Sequence, residues 1–547
     1  MDKRLFSAFL VSIVVALLYQ HFVMRPLHEN QQQPSAGMET IASNDGHIAL
    51  PDTAVRQDEP APAQKNIPAV SPISSDTALI WQNFDQEQET VLENDKVKAV
   101  FTNIGACLKS LTVKHNDRDD IMLVSPMHYS VQPFYIDAAG LHSQSGVPVY
   151  QVNMPAEDTL TFTRSTGSFI EEKIITLNAD SYQFDVSYKI TALDGTVFLS
   201  DGIGFSLGTI QKVSKADKQE ALSSSMYLDI KKGELETFNL RGEKSVARHT
   251  GDIVWASVKN KYFVLICKPS RKGAVLDIRP LGSITDSNAT YLRSAQQPVA
   301  QGQTAEFQFF AYCGPQLLKY LTPYKSDFEK TMYFTGWFGP INLFLIKSLN
   351  ILNSFCRNYG LAIILLTIII KIIFYPLTHK SFQSMKKMQE LQPKMAVLKE
   401  KYKDDQQRLQ KETMALYKRE KVNPLGGCLP MLIQLPIFFG LYRTLYNAYE
   451  LIDARFLWIT SLAEPDKMFM IPWGGSSFPL NVLPLVMGVT MFYQQKMSTA
   501  DPQQQKMMMF MPVIFTFILY NLPSGLVLYW TLSNVLSILQ QHYVKTK

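Results

Sequence analysis

The chain has 547 residues, of which 46% are hydrophobic and 18% charged, with 5 cysteines and a formal net charge of +5. That length exceeds what one compact core normally takes. The near-neutral average conceals uncharged apolar blocks at the N-terminus and beyond residue 340, with a polar stretch of roughly 300 residues between them; this excludes a uniform soluble globule and a wholly disordered chain.

The first block, Leu5 to Met24, carries no formally charged side chain and follows Lys3 and Arg4. It is long enough to span a bilayer. A cleaved leader would end in small residues, whereas this segment continues through Leu17, Leu18, Tyr19, Gln20, His21, Phe22 and Val23, so residues 1–24 read as an uncleaved transmembrane anchor. Residues 25–76 are rich in Gln, Ala, Asp, Ser and Pro, including Pro34, Pro51, Pro60, Pro62, Pro68 and Pro72. Such a composition offers little contiguous apolar surface to offset the entropy of ordering, which predicts an extended tether.

From 77 to 335, short alternating segments are separated by Gly, Asn, Asp and Pro. In the clearest, Tyr182, Phe184, Val186, Tyr188 and Ile190 share one face while Gln183, Asp185, Ser187 and Lys189 share the other. Further strands are expected at Val97–Thr102, Tyr262–Cys267 and Ala305–Tyr312. The pattern predicts a large antiparallel β-sandwich rather than a doubly wound parallel sheet. Its histidines are scattered, and Cys107, Cys267 and Cys313 show neither paired spacing nor a zinc pattern. No reaction, cofactor, metal or disulfide is assigned.

Residues 336–357 contain Leu345, Leu349, Leu352 and Cys356 at helical spacing, with Lys347, Asn350 and Ser354 on another face. This predicts an amphipathic helix on the membrane surface rather than a further span. Residues 358–547 then supply five spans, at Gly360–Leu377, Leu425–Leu445, Phe478–Met497, Met507–Tyr520 and Leu526–Tyr543. Between Leu377 and Asn423 there are 12 Lys or Arg and 6 Asp or Glu. By the positive-inside rule that loop is cytoplasmic; six crossings then put both termini inside, and the β-region and the acidic 447–477 loop outside.

Within the basic loop, Met385, Met388, Leu391, Met395, Leu398 and Tyr402 advance by three or four residues, and Asp404 and Asp405 offer helix-start chemistry before Leu409. A helical hairpin over 381–420 is expected, with Pro393 permitting a bend. It either packs on itself with no further role or uses its adaptable methionines against varied apolar partners.

Lys371 interrupts the first core span. A cation at the centre of a span costs about 2.5–3.5 kcal/mol on insertion scales unless water or a partner reaches it. Lys371 lies six residues before Leu377, roughly 9 Å along a helix, so its side chain either snorkels to the cytoplasm or faces a hydrated pocket with Thr367, Gln434 and Trp530. Such a pocket would act on apolar chains. A segment of about 20 apolar residues gains roughly 6–12 kcal/mol in lipid, yet its polar tail must first cross hydrocarbon. A wet, laterally open groove shortens that dry passage without covalent chemistry or nucleotide hydrolysis.

The stretches NYGLAIILLTIIIKIIFYPLT, LQPK, MALYK, KVNPLGGCLPMLIQLPIF, GVTMF, QQKMMMFMPVIFT and LPSGLVLYWTLSN closely resemble the YidC/Oxa/Alb family of membrane protein insertases in its Gram-negative form. The resemblance covers effectively the whole chain. It implies a polytopic α-helical membrane protein with a five-helix insertase core, an N-terminal anchor and a large periplasmic β-supersandwich, located in the bacterial inner membrane. It further implies insertion, folding and assembly of nascent inner-membrane proteins, alone or with the Sec translocon, in contact with membrane lipids and with ribosome or targeting factors. Lys371 stands where the family has a groove arginine, so the cation is kept while the planar fork is not. Thr367 and Gln434 match groove-helix positions, Tyr529 and Trp530 match an aromatic pair, and Met385, Met388 and Met395 belong to a hairpin implied to handle clients. A transporter or channel, or a non-catalytic envelope scaffold, are the competing readings.

Overall fold

The computed structural model describes residues 86–546 apart from short internal stretches, of which the longest are 211–223, 240–246, 281–287 and 499–508. The expected anchor (1–24) and tether (25–76) lie outside the described residues.

Alternation of apolar and polar side chains organises the β-region. In the strand Gln183–Ala192, Phe184, Val186, Tyr188 and Ile190 are buried, as the spacing requires, and Tyr182 stands just before it. Val97–Thr102 forms as expected, while the other two expected strands run Phe263–Pro269 and Thr304–Pro315. Every strand pairing among the described residues is antiparallel. The largest sheet has nine strands in the order Glu234–Asn239, Ser224–Asp229, Ile253–Lys259, Phe263–Pro269, Thr304–Pro315, Gln183–Ala192, Phe169–Leu177, Thr159–Ser165 and Gln151–Ala156. A five-stranded sheet includes Ile203–Gly208, and a four-stranded meander runs from Glu89 to Val124.

Aromatic side chains join the three sheets. Phe134 stands between Phe101 of the meander at 5.6 Å, Phe184 of the nine-stranded sheet at 5.3 Å and Phe205 of the five-stranded sheet at 5.3 Å; Phe205 in turn lies 5.0 Å from Phe309. Each fully buried ring contributes about 1.5–3 kcal/mol by leaving water, and edge-to-face contact adds about 0.5–1.5 kcal/mol per pair. This cluster is therefore where the sandwich closes. Cys107, Cys267 and Cys313 are buried free thiols and Cys356 is a half-buried one.

The helices follow in chain order: α1 (Gly339–Cys356), α2 (Tyr359–Glu390), α3 (Gln392–Lys401), α4 (Gln406–Arg419), α5 (Leu429–Tyr446), α6 (Val482–Ser498), α7 (Met511–Ile518) and α8 (Ser524–Thr546). At 1.5 Å per residue, the 18 residues of α5 extend about 27 Å, close to the hydrocarbon thickness. Among the described residues, α2 is the one helix both long and apolar enough by composition to cross a membrane unaided. α1 buries Asn342, Leu345, Ile346 and Leu349 while Phe344, Ile351 and Phe355 stay exposed.

The third expected span starts later than its apolar run. Phe478 belongs to a strand, Ser476–Leu480, which pairs with Phe469–Trp473 in a hairpin, and the helix begins at Val482. The physical reason is a distant cap: Asp466 Oδ2 accepts from the backbone N–H groups of both Val482 and Leu483 at 2.9 Å. In the basic loop the helix start is local and falls where expected, Asp405 Oδ1 accepting from Arg408 N at 2.9 Å.

The β-region rests on the loop after α5. His115 Nδ1 lies 3.3 Å from Asp453 Oδ2 and its Nε2 lies 3.1 Å from the Tyr449 hydroxyl. The Tyr449 ring meets Phe263 edge-on at 5.4 Å, and the Lys261 ammonium sits 3.7 Å above the Tyr446 ring. Next to them, burial pushes the Glu450 carboxyl above its ordinary value, and Asn350 donates to it at 3.4 Å. The 447–477 loop and the β-region thus occupy the same side of the helices.

Candidate functional site

α2 starts at Asn358, whose side chain accepts from Leu361 N, and continues through Ile, Leu and Phe with few interruptions. Thr367 is one of them. It is fully buried, and its hydroxyl donates to the Ile363 carbonyl one turn earlier at 2.6 Å, so it is satisfied within its own helix. Lys371 follows one turn later and is half-buried.

The Lys371 ammonium donates to Ser537 Oγ of α8 at 2.7 Å, and that hydroxyl donates to the Ser533 carbonyl at 2.9 Å. One turn away, Gln434 of α5 donates from Nε2 to Ser533 Oγ at 2.9 Å. Asn534 donates to Thr490 Oγ1 of α6 at 3.3 Å. Towards the C-terminus, Thr378 and Gln540 exchange hydrogen bonds, and Gln541 and Gln389 each donate to the Met497 carbonyl at 2.9 Å. α8 therefore carries a polar stripe that stitches α2, α5 and α6 together inside an otherwise apolar bundle.

The structure brings Lys371 and Gln434 to one turn of α8, through two serines the sequence reading did not name. Their signal was present, since Ser533, Ser537 and Gln541 repeat at four-residue spacing on one helix face. Trp530 also belongs here: its ring meets Phe438 of α5 edge-on at 4.4 Å and Phe515 of α7 at 6.0 Å. Tyr529 is buried one turn before Ser533, on the face of α8 that carries the two serines. No acidic side chain pairs with Lys371 among the described residues, and the partner its ammonium meets is the neutral Ser537 hydroxyl.

The methionines of the basic loop divide. Met385 is buried against Phe382 and Val544, and Met395 is buried within the hairpin. Met388 is half-buried, and Met414 of α4 is exposed. Among the described residues no group of three or more His, Cys, Asp or Glu is placed to hold a metal ion.

Comparison with known proteins adds to this geometry. A family model described as the YidC periplasmic domain matches residues 89–348, and one described as the 60Kd inner membrane protein matches residues 351–547. The membrane protein insertase YidC of Syntrophus aciditrophicus is 34% identical over 573 residues, covering 100% of this chain and 99% of that protein. Its counterpart in Pelobacter propionicus is 35% identical over 571 residues, again covering 100% and 99%. That of Geobacter sp. strain M21 is 38% identical over 483 residues, or 84% of this chain and 85% of its own.

Proposed function

The chain belongs to the YidC family of membrane protein insertases, an inner-membrane family with a periplasmic β-sandwich and a helical core, and from that premise we propose how its polar stripe works. The observation that carries the reading is Lys371, a cation set in an apolar helix, held by the Ser537 hydroxyl and left without a carboxylate. A buried charge without a counterion is costly, and in an apolar span that cost is relieved by water or by an arriving group of opposite sign. Kept un-neutralised, it holds water around α2, α5 and α8 and attracts the acidic tail of an incoming segment.

The client's polar end then crosses a shortened hydrocarbon path, while its apolar residues leave sideways into lipid, driven by roughly 6–12 kcal/mol for a full span. Lys371 and Gln434 line the wet side of the groove with Ser533 and Ser537. Trp530, with Phe438, forms an apolar wall, Thr367 packs within α2, and Tyr529 backs the serines from one turn earlier. The basic hairpin of residues 381–420 meets clients through Met388 and the exposed Met414, with Met385 and Met395 holding its shape. We assign both termini to the cytoplasm. The Sec translocon, the ribosome or targeting factors, and membrane lipids are the proposed partners, and 1–24, 25–76, 77–335, 336–357 and 358–547 are the proposed divisions.

The test is insertion of a short-tailed client into liposomes containing the purified protein. Lys371→Arg retains most of the activity. Lys371→Ala at equal abundance lowers it about tenfold, a change of ~1.4 kcal/mol in the barrier. Equal insertion by Lys371→Ala and the unmodified protein would remove the cation from the mechanism. Passage of a small solute with no gain in client insertion would favour a transporter instead.

A further inference from the structure

Between α5 and α6 the chain forms a two-stranded hairpin, Phe469–Trp473 with Ser476–Leu480. Its pairing sets Phe469 opposite Leu480 and Ile471 opposite Phe478 on one face, and Met470 opposite Pro479 on the other. A ribbon standing in water shows one polar face, and in isolation it is at best marginally stable. Here both faces are apolar except for Ser476 and Ser477 next to the turn, and open: Phe469 is 52% exposed, Met470 55%, Ile471 41% and Phe478 55%. From Met468 to Gln495 there is no Asp, Glu, Lys, Arg or His.

The hairpin is nevertheless held firmly at its base. The Tyr520 hydroxyl donates to the Pro479 carbonyl at 3.1 Å and accepts from Asn481 N at 3.0 Å, while Asn481 Nδ2 donates to the Tyr520 carbonyl at 2.8 Å. The Phe478 and Tyr520 rings stack with centroids 6.2 Å apart. Immediately beyond Asn481, α6 presents exposed Leu485, Val486, Val489 and Phe492. The apolar surface of the hairpin thus leads directly into the exposed apolar face of a core helix. It also lies on the β-region's side, because the loop that carries it contacts His115.

We propose that the hairpin Phe469–Leu480 is a lipid-binding wedge, seated in the periplasmic leaflet just below the phospholipid headgroups. Its backbone sets the depth. A two-stranded ribbon has no further strand to pair with its outer edges, and unpaired backbone groups are excluded from the hydrocarbon centre. Pro472 and Pro479 each remove one N–H from that ribbon, which reduces the groups that need water without abolishing them. The carbonyls stay at the hydrated boundary while the side chains reach the acyl chains. Lys467, at the foot of the hairpin and 2.9 Å from Glu464, belongs at headgroup level.

The experiment places a spin label through p-acetylphenylalanine at 471, at 478 and, as a water-facing control, at the exposed β-region position 154, leaving the native cysteines untouched. The full chain is studied in phosphatidylethanolamine–phosphatidylglycerol nanodiscs holding one copy each. At 471 and 478, oxygen reaches the label several-fold more readily than a water-soluble nickel chelate, and at 154 the order is reversed. Nickel access at 471 and 478 equal to that at 154 would overturn the proposal. A second variant, Ile471→Asp with Phe478→Asp and the label at 470, lifts the hairpin from the lipid and raises nickel access several-fold. Low nickel access that persists in that variant would mean that protein, not lipid, covers the surface, and would overturn the proposal equally.

Discussion

The β-region and the helical core both bury charge, and the charged clusters of the first are built differently from the lone cation of the second. In the β-region, Asp277 lies 2.7 Å from Arg248 Nε and 2.7 Å from Arg293 Nε, with Arg279 also near; Asp201 and Asp137 complete the neutralisation of the three guanidiniums. Burial pushes the Asp277 carboxyl up, but the adjacent arginines outweigh it and hold it below the ordinary aspartate value. Glu171 is treated the same way, by His142 at 2.7 Å, Arg164 at 3.0 Å and the Tyr188 hydroxyl at 2.6 Å. In the core, Lys371 is given a hydroxyl and nothing of opposite sign. Lys173 of the β-region, buried with the Ala106 and Phe134 carbonyls as its partners, is also a cation held by neutral groups; what sets Lys371 apart is its place in an apolar helix of the core.

The contrast can be broken by mutation, beginning where the effect is largest. Asp277→Ala leaves buried guanidiniums short of a counterion, and about 3–5 kcal/mol of β-region stability is lost, read as the denaturant midpoint of the full chain in detergent. Glu171→Gln keeps the shape but loses charge-assisted bonds, at about 1–3 kcal/mol at neutral pH. Its pH dependence sharpens the point. Burial raises the Glu171 carboxyl, yet hydrogen bonds from His142, Tyr188 and Arg164 win and hold it below the ordinary value. A folded-state value below the unfolded one means stability that is complete above the unfolded glutamate pKa of about 4.3 and is lost as pH falls through the folded value. The deficit of Glu171→Gln therefore shrinks on acidification; a deficit constant down to pH 3 would contradict it.

Lys371→Ala changes stability, read from the denaturant midpoint, by less than about 0.5 kcal/mol, because no counterion is left behind, while client insertion falls. A destabilisation matching that of Asp277→Ala would erase the distinction between the two regions. Smallest of all, Met388→Leu with Met414→Leu keeps client crosslinking within about twofold, since a broad apolar contact tolerates a change of shape. Abolition of crosslinking would indicate specific packing at the hairpin instead.

Local pattern made part of this legible in the sequence. The alternation at 182–190 located a strand and its buried face because period two is a property of one segment alone. The Asp405 cap was readable for the same reason. The assembly of the sheets was not, since Asp137 and Arg293 of the five-stranded sheet meet across 156 positions and no window contains both. The candidate site divides along the same line. Lys371 and Gln434 stand out as polar residues in apolar runs, whereas Ser533 and Ser537 acquire meaning only once α8 faces α2 and α5. The methionine stripe was visible too, but nothing local says that Val544 covers Met385. The start of α6 was misplaced because its cap, Asp466, comes from 16 positions away.

Ser537 lies 166 positions after Lys371. At a synthesis rate of about 5–20 residues per second, the ribosome takes roughly 8–33 s to supply the hydroxyl that will seat the ammonium. For that interval the newborn α2 must wait in the bilayer with a solitary cation, before the helix that will receive it has been made. The protein thus begins life as the kind of awkward passenger it is built to escort, and a cell depleted of mature copies should be slow to make new ones.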